Sequence, residues 1–182
     1  MRTTLLSAAT LSVAALALTQ LAPANADSIG VTDPQDLGHG VDLRSVEVQH
    51  GGRNVVVTTT HADLVESFRS GSSGAVFYDT DRSSPGPEFV LAGGYFVGTD
   101  YALLTTRGFA TSKWGEPVEG SYGMRIDYDA DHVRMRIART VMGAPDEVRV
   151  AVRVAGSRPG GGSTRTDWLG EPRSFTDWVA TR

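Results

Sequence analysis

The sequence predicts an all-β fold, a single antiparallel β-sandwich of jelly-roll type, and three observations predict it. Hydrophobic periodicity is mostly two rather than three and a half. Glycine-, proline- and serine-rich turns recur at short intervals. Amphipathic helical stretches are nearly missing, and about eight or nine short strands take their place.

The elements follow in order. Leu43 to Gln49 reads as a strand, and His50-Gly51-Gly52-Arg53 as a turn. The β-branched run Asn54 to His61 returns as the second strand. Asp63 to Ser70 sets Leu64, Val65 and Phe68 on one side and is the one stretch open to a short helix; a loop reads equally well. Gly74 to Thr80 is a third strand, followed by a polar loop from Asp81 to Pro87. Glu88 to Ala92 and Tyr95 to Thr106 carry two or three more, broken at Gly93-Gly94 and Gly98, and Gly108 to Gly120 is irregular.

Tyr122 to Thr140 reads as a hairpin. Centred on Ala130-Asp131, it sets Tyr128 opposite Val133, Ile126 opposite Met135 and Met124 opposite Ile137, three apolar pairs on one face. The same register sets Asp127 opposite Arg134 and Arg125 opposite Arg136 on the other face. Glu147 to Ala155 is the strongest strand, with Val148, Val150, Val152 and Val154 pointing one way and Glu147, Arg149 and Arg153 the other. A Gly/Ser/Arg loop over Ser157 to Thr166, then Trp168 and an aromatic tail from Phe175 to Val179, close the chain.

The first 26 residues read as a signal peptide: Arg2, then an apolar run from Leu5 to Leu18, then Ala24-Asn25-Ala26 before Asp27. The run is shorter than the ~20 residues a bilayer span needs. The expected product is one domain over residues 27–182, secreted and free of the membrane, with no cysteine and so no oxidative folding step. Apart from Lys113 every basic residue is arginine, which fits a GC-rich bacterial coding sequence. A net charge of −4 argues against non-specific nucleic-acid binding.

Several segments carry a resemblance. Asp33-Pro34, Asp36 and Val41-Asp42-Leu43 lead into the first strand; Phe77-Tyr78-Asp79-Thr80-Asp81 precedes a Gly-Pro-Glu loop; Gly143-x-Pro145-x-x-Val148-Arg149-Val150-Ala151-Val152 is followed by Asp167-Trp168-Leu169 and Trp178-Val179. Over most of residues 31–182 the chain resembles small secreted actinobacterial proteins of unknown function. More distantly it is similar to DOMON-like and family-9 carbohydrate-binding modules. That resemblance implies a β-sandwich that binds sugar, haem or calcium.

Catalytic motifs do not emerge. There is no Gly-x-Ser-x-Gly, and His39, His50, His61 and His132 have no zinc spacing. His50 and His132, in turns, read as exposed polar residues. Asp127, Asp129 and Asp131 mimic half an EF-hand loop but lack its glycine and its final glutamate, so they read as a hairpin tip. Asp79 and Asp81, at a strand end, are the candidate ligands for a structural Ca2+; Asp33, Asp36 and Asp42 crowd the N-terminal segment. Trp114, in a loop bounded by glycine and proline, reads either as a sugar-stacking ring or as a plug on the end of the sandwich. Trp168 and Trp178 read as packing. Arg125, Arg134, Arg136, Arg149 and Arg153 are expected on one outer face, either as a solvated mixed-charge surface or as a patch for an anionic cell-wall glycan. The leading expectation is a non-enzymatic module that binds an extracellular ligand such as a glycan. The alternative is a secreted hydrolase, or an inhibitor of one, acting through surface loops.

Overall fold

The structure, a computed structural model, describes residues 27–157 and 163–182. The expected signal peptide at 1–26, and residues 158–162 of the Gly/Ser/Arg loop, lie outside the described residues. Among the described residues there is no α-helix, and no helix is long and apolar enough to cross a membrane.

Twelve strands form two antiparallel sheets: β1 (Asp27–Thr32), β2 (Leu43–His50), β3 (Asn54–His61), β4 (Ser73–Asp79), β5 (Phe89–Gly94), β6 (Tyr101–Thr106), β7 (Trp114–Pro117), β8 (Tyr122–Asp127), β9 (His132–Ala138), β10 (Glu147–Gly156), β11 (Arg165–Trp168) and β12 (Val179–Ala180). The first sheet runs β1-β2-β3-β9-β8. The second, of seven strands, runs β11-β10-β4-β5-β6-β7, with β12 also on β10. The two inner faces meet in one core. Val46, Val48, Val55, Val57, Val133, Met135 and Ile137 come from the first sheet. Val76, Tyr78, Leu91, Leu103, Val148, Val150, Val152 and Val154 come from the second. The β-sandwich expected from period-two patterning is therefore observed, with four short strands (β1, β7, β11 and β12) beyond those read from sequence.

The stretch from Asp63 to Ser70 is not an α-helix. Only Phe68–Ser70 makes a 3-10 turn, with Ser67 Oγ accepting from Arg69 N. Of its apolar residues Leu64 alone is buried, while Val65 and Phe68 face solvent, so no apolar stripe exists to hold a helix on the sandwich. Nearby, the ring of Tyr95 occupies the space that a Cβ on Gly74 would take, so only glycine lets this ring into the core.

The hairpin keeps its predicted face but not its predicted register. Ile126 pairs with Val133, Met124 with Met135 and Tyr122 with Ile137, a shift of two residues. A shift of two returns every side chain to the same face, so the core is preserved. The cause lies in the turn. Asp131 takes φ +55°, its carbonyl accepts from His61 N and its carboxylate accepts from Leu64 N. That pins a longer loop, Tyr128 to Asp131, to the first sheet.

His50 is buried, against the expectation of an exposed turn residue. Its Nδ1–H donates to the carbonyl of Val179 at 2.9 Å, a contact that spans 129 residues. His61 is buried too. Its Nδ1–H donates to Val41 O at 2.7 Å and its Nε2 accepts from the Thr59 hydroxyl at 2.7 Å. Burial pulls the His61 pKa from 6.5 down to about 4. The fold therefore binds fewer protons than the unfolded chain between those values, and stability falls as pH drops through that window. For this one group the slope approaches ~1.4 kcal/mol per pH unit. Urea midpoints for wild type and His61→Gln, taken between neutral pH and the lower value, are expected to show the steeper loss in wild type; parallel profiles would contradict this.

Candidate functional site

The outer face of the seven-stranded sheet is not a plain solvated surface. Strand alternation turns Ala75 and Phe77 of β4, Val90 of β5 and Ala151 of β10 outward, yet all four are buried. Half-buried rings cover them: Phe109, Trp114, Trp168 and Phe175. Trp168 stacks on Phe77 at 6.0 Å and 17°, Phe109 meets Phe77 edge-on at 5.0 Å, and Trp114 meets it edge-on at 6.2 Å. Edge and offset contacts of this kind are favoured by the ring quadrupole. A second, thinner hydrophobic layer thus lies outside the sandwich proper.

Two arginines of β10 rest on this layer, and their surroundings differ. Arg149 lies 4.6 Å from the centre of the Phe175 ring and 4.7 Å from that of Trp178. Its Nε and Nη2 donate to Asp79 Oδ2 at 2.9 and 2.6 Å. Beside it, Arg82 covers Trp178 and pairs with Glu147. Arg153 lies 5.6 to 5.8 Å from the rings of Phe77, Trp114 and Trp168, and its Nη1 donates to Phe109 O at 3.4 Å. Among the described residues no carboxylate pairs with it. Burial lowers its pKa, the mark of a cation held partly out of water.

Arg153 and Trp114 wall a groove of about 370 Å³. Its floor is made of small groups, with Ser73, Ala75, Ala92 and Ala155 beside the backbone of Gly74 and Gly93. The indole Nε1–H of Trp114 is buried and has no hydrogen-bond partner among the described residues. Small floor residues, a ring edge and a guanidinium without a carboxylate partner among the described residues thus line the groove together. Two larger hollows, of about 670 Å³ beside Arg107 and Lys113 and about 550 Å³ beside Val65 and Arg69, are lined largely by exposed residues instead.

The five arginines expected on one face are divided between the two sheets. Arg125 on β8 and Arg134 and Arg136 on β9 belong to the five-stranded sheet; Arg149 and Arg153 on β10 belong to the other. The 3-10 turn Arg139–Met142 joins β9 to β10, and the chain changes sheet there. The expected Arg125–Arg136 pair is also replaced: Arg125 faces Arg134, and Arg136 faces Gly123. Arg136 donates to Asn54 and Ser121 instead.

The expected calcium pair is engaged elsewhere. Asp79 is fully buried, with one oxygen on Arg149 and the other accepting from Asp81 N. Asp81 closes a local turn by accepting from Ser83 N and Oγ at 2.8 and 2.7 Å, which lowers its pKa. Asp79 thus already has its counter-charge, and Asp81 caps its own loop. Of the three tryptophans, Trp168 and Trp178 pack as expected, and Trp114 packs on Phe77 while also forming the groove wall. Sequence reasoning missed the apolar outer layer. Its signal was present in Ala75, Phe77 and Ala151, apolar residues at the outward positions of their strands.

No protein-family model matches the chain, and no curated protein matches it.

Proposed function

We propose that the protein is a secreted, non-enzymatic β-sandwich module that binds an acidic glycan in the groove between Trp114 and Arg153. The observation that carries this reading is Arg153: a half-buried guanidinium on a groove wall, without a carboxylate partner among the described residues. Such a fork recognises carboxylate or paired hydroxyl oxygens in two-pronged fashion. Trp114 supplies the ring against which a sugar face packs. Among the described residues the groove lining holds neither carboxylate nor histidine, which favours binding over the alternative of glycoside hydrolysis.

A second reading rests on Arg125 and Arg134. They face one another on the outer surface of the five-stranded sheet, beside a hollow of about 350 Å³ that Asp127 and His132 also line. Like charges set opposite across strands repel unless an anion lies between them.

One titration separates the two. Wild type, Trp114→Ala, Arg153→Gln and Arg134→Ala are each titrated calorimetrically with a uronic-acid polymer, a sulfated polymer and a neutral polysaccharide. The proposal predicts binding to the uronic-acid polymer that weakens with salt, falls at least ~10-fold in Trp114→Ala and Arg153→Gln, about the 1.4 kcal/mol that one good polar contact supplies, and persists in Arg134→Ala. Loss in Arg134→Ala alone would favour the second reading. No binding to any of the polymers would refute both.

A further inference from the structure

A second cluster lies where the loop before β2 meets β11, and its reading does not rest on the groove. We propose that Asp33, Asp36 and Asp167 bind one Ca2+ ion, which ties the segment before β2 to β11. Asp33 and Asp36 lie in the loop between β1 and β2, and Asp167 lies on β11. One carboxylate oxygen from each lies within 4.8 Å of the other two. Oxygens that each sit about 2.4 Å from a shared Ca2+ can be no more than about 4.8 Å apart, so the three already span a single coordination sphere.

The independent observation is Asp33 Oδ2. Asp33 is 8% exposed; its Oδ1 accepts from Gly170 N at 2.6 Å, but its Oδ2 is buried with no hydrogen-bond partner among the described residues. A buried carboxylate oxygen with no partner costs several kcal/mol unless a cation or donor meets it. Asp167 is comparably buried, with Oδ2 accepting from Leu43 N. Asp36 is exposed and leaves the cluster open to solvent on one side.

Asp42 is a positioning residue rather than a ligand. Fully buried, it accepts from Asp36 N and Leu37 N on Oδ1 and so bends the loop that carries Asp36 toward Asp167. Its Oδ2 faces Arg44 Nε at 3.3 Å, the one cation that pairs with these four carboxylates among the described residues. Three negative charges are left over. Burial and mutual repulsion disfavour these charges, and a divalent cation offsets both effects.

The donor set selects the ion. All the donors are hard oxygens, which favours Ca2+ or Mg2+ over transition metals. They arrive from two separate segments, one an irregular loop, and that suits the variable coordination of Ca2+ better than the strict octahedron of Mg2+. An affinity of ~10⁻⁴–10⁻³ M, that of extracellular Ca2+ modules, is sufficient outside the cell.

The test uses the full mature chain, stripped with EDTA. Calorimetry with CaCl2 is expected to give one site, and Tm is expected to rise on saturation because the ion binds only the folded form. MgCl2 at the same concentration is expected to raise it less. Asp36→Asn, at an exposed position, is expected to fold with the EDTA-form Tm of wild type and to bind Ca2+ at least ~10-fold more weakly, the lower end of what losing an outer-sphere partner already costs. Asp81→Asn is expected to bind as wild type does. No heat and no Tm shift in wild type, or an unchanged affinity in Asp36→Asn, would overturn the assignment. So would loss of binding in Asp81→Asn, or an equal response to Mg2+.

Discussion

Val150→Asp is expected to abolish folding. Val150 is fully buried at the centre of β10, where it pairs with Tyr78 on β4. On its other edge its N–H donates to Thr176 Oγ1 and its carbonyl accepts from Thr176 N. Its side chain lies among Val148, Val152, Tyr78 and the valines of the facing sheet. A carboxylate there has neither water nor a partner, and its burial costs several kcal/mol. That is comparable with the whole stability of a domain this size, ~5–15 kcal/mol. Far-ultraviolet circular dichroism and size-exclusion chromatography report the outcome. A cooperative melt at the wild-type temperature would mean that the four-valine face of β10 is not the core.

Arg149→Ala is expected to be far more damaging than substitution of an exposed arginine. An exposed arginine contributes ~0–1 kcal/mol to folding, and Arg134→Ala should fall in that range. Arg149 is different because its partner Asp79 has no exposed side-chain surface. Removing one member of a buried pair costs ~3–5 kcal/mol, since the other charge is stranded. With 30% of the Arg149 side chain exposed, the low end of that range applies. The contacts with Phe175 and Trp178 are lost as well. Tm should fall on the order of 10 °C. Adding Asp79→Asn to Arg149→Ala is expected to recover part of that loss, because the stranded charge is then gone. A single mutant within ~0.5 kcal/mol of wild type, or a double mutant less stable than the single, would contradict the pairing.

Much of the fold was legible because local patterning determines it. The run Asn54 to His61 is almost entirely β-branched, and β3 has those bounds. The Val-x-Val alternation of β10 survives because one face of that strand meets the facing sheet and the other meets aromatic rings. What could not be read depends on distant partners. β12 is two residues long and exists because β10 offers it an edge. The hairpin register depends on Asp131 reaching Leu64, 67 residues away. His50 is buried because the C-terminal strand folds over it. The same limit applies to the candidate sites. Asp79 looked like a metal ligand at a strand end until Arg149, 70 residues later, was placed beside it. Arg125 and Arg153 looked like neighbours because successive strands usually pair, and the turn at Arg139–Met142 changes sheets instead. The Asp33, Asp36 and Asp167 cluster joins two stretches more than a hundred residues apart, so its first two members were noticed and its third was not.

The central claim is that the ligand enters the slot between Trp114 and Arg153, and nitrogen-15 NMR of the indole N–H groups tests it most directly. The chain contains three tryptophans, so three indole signals are expected, assignable by single Trp→Phe substitutions. Trp114 Nε1–H has no hydrogen-bond partner among the described residues, and Trp168 is packed on Phe77. On titration with a uronic-acid oligosaccharide, the Trp114 signal is predicted to shift most and to saturate together with the Arg153 Nε–H signal, while Trp178 stays in place. Saturable shifts confined to residues around Arg125 and Arg134, with the Trp114 indole unmoved, would contradict the account.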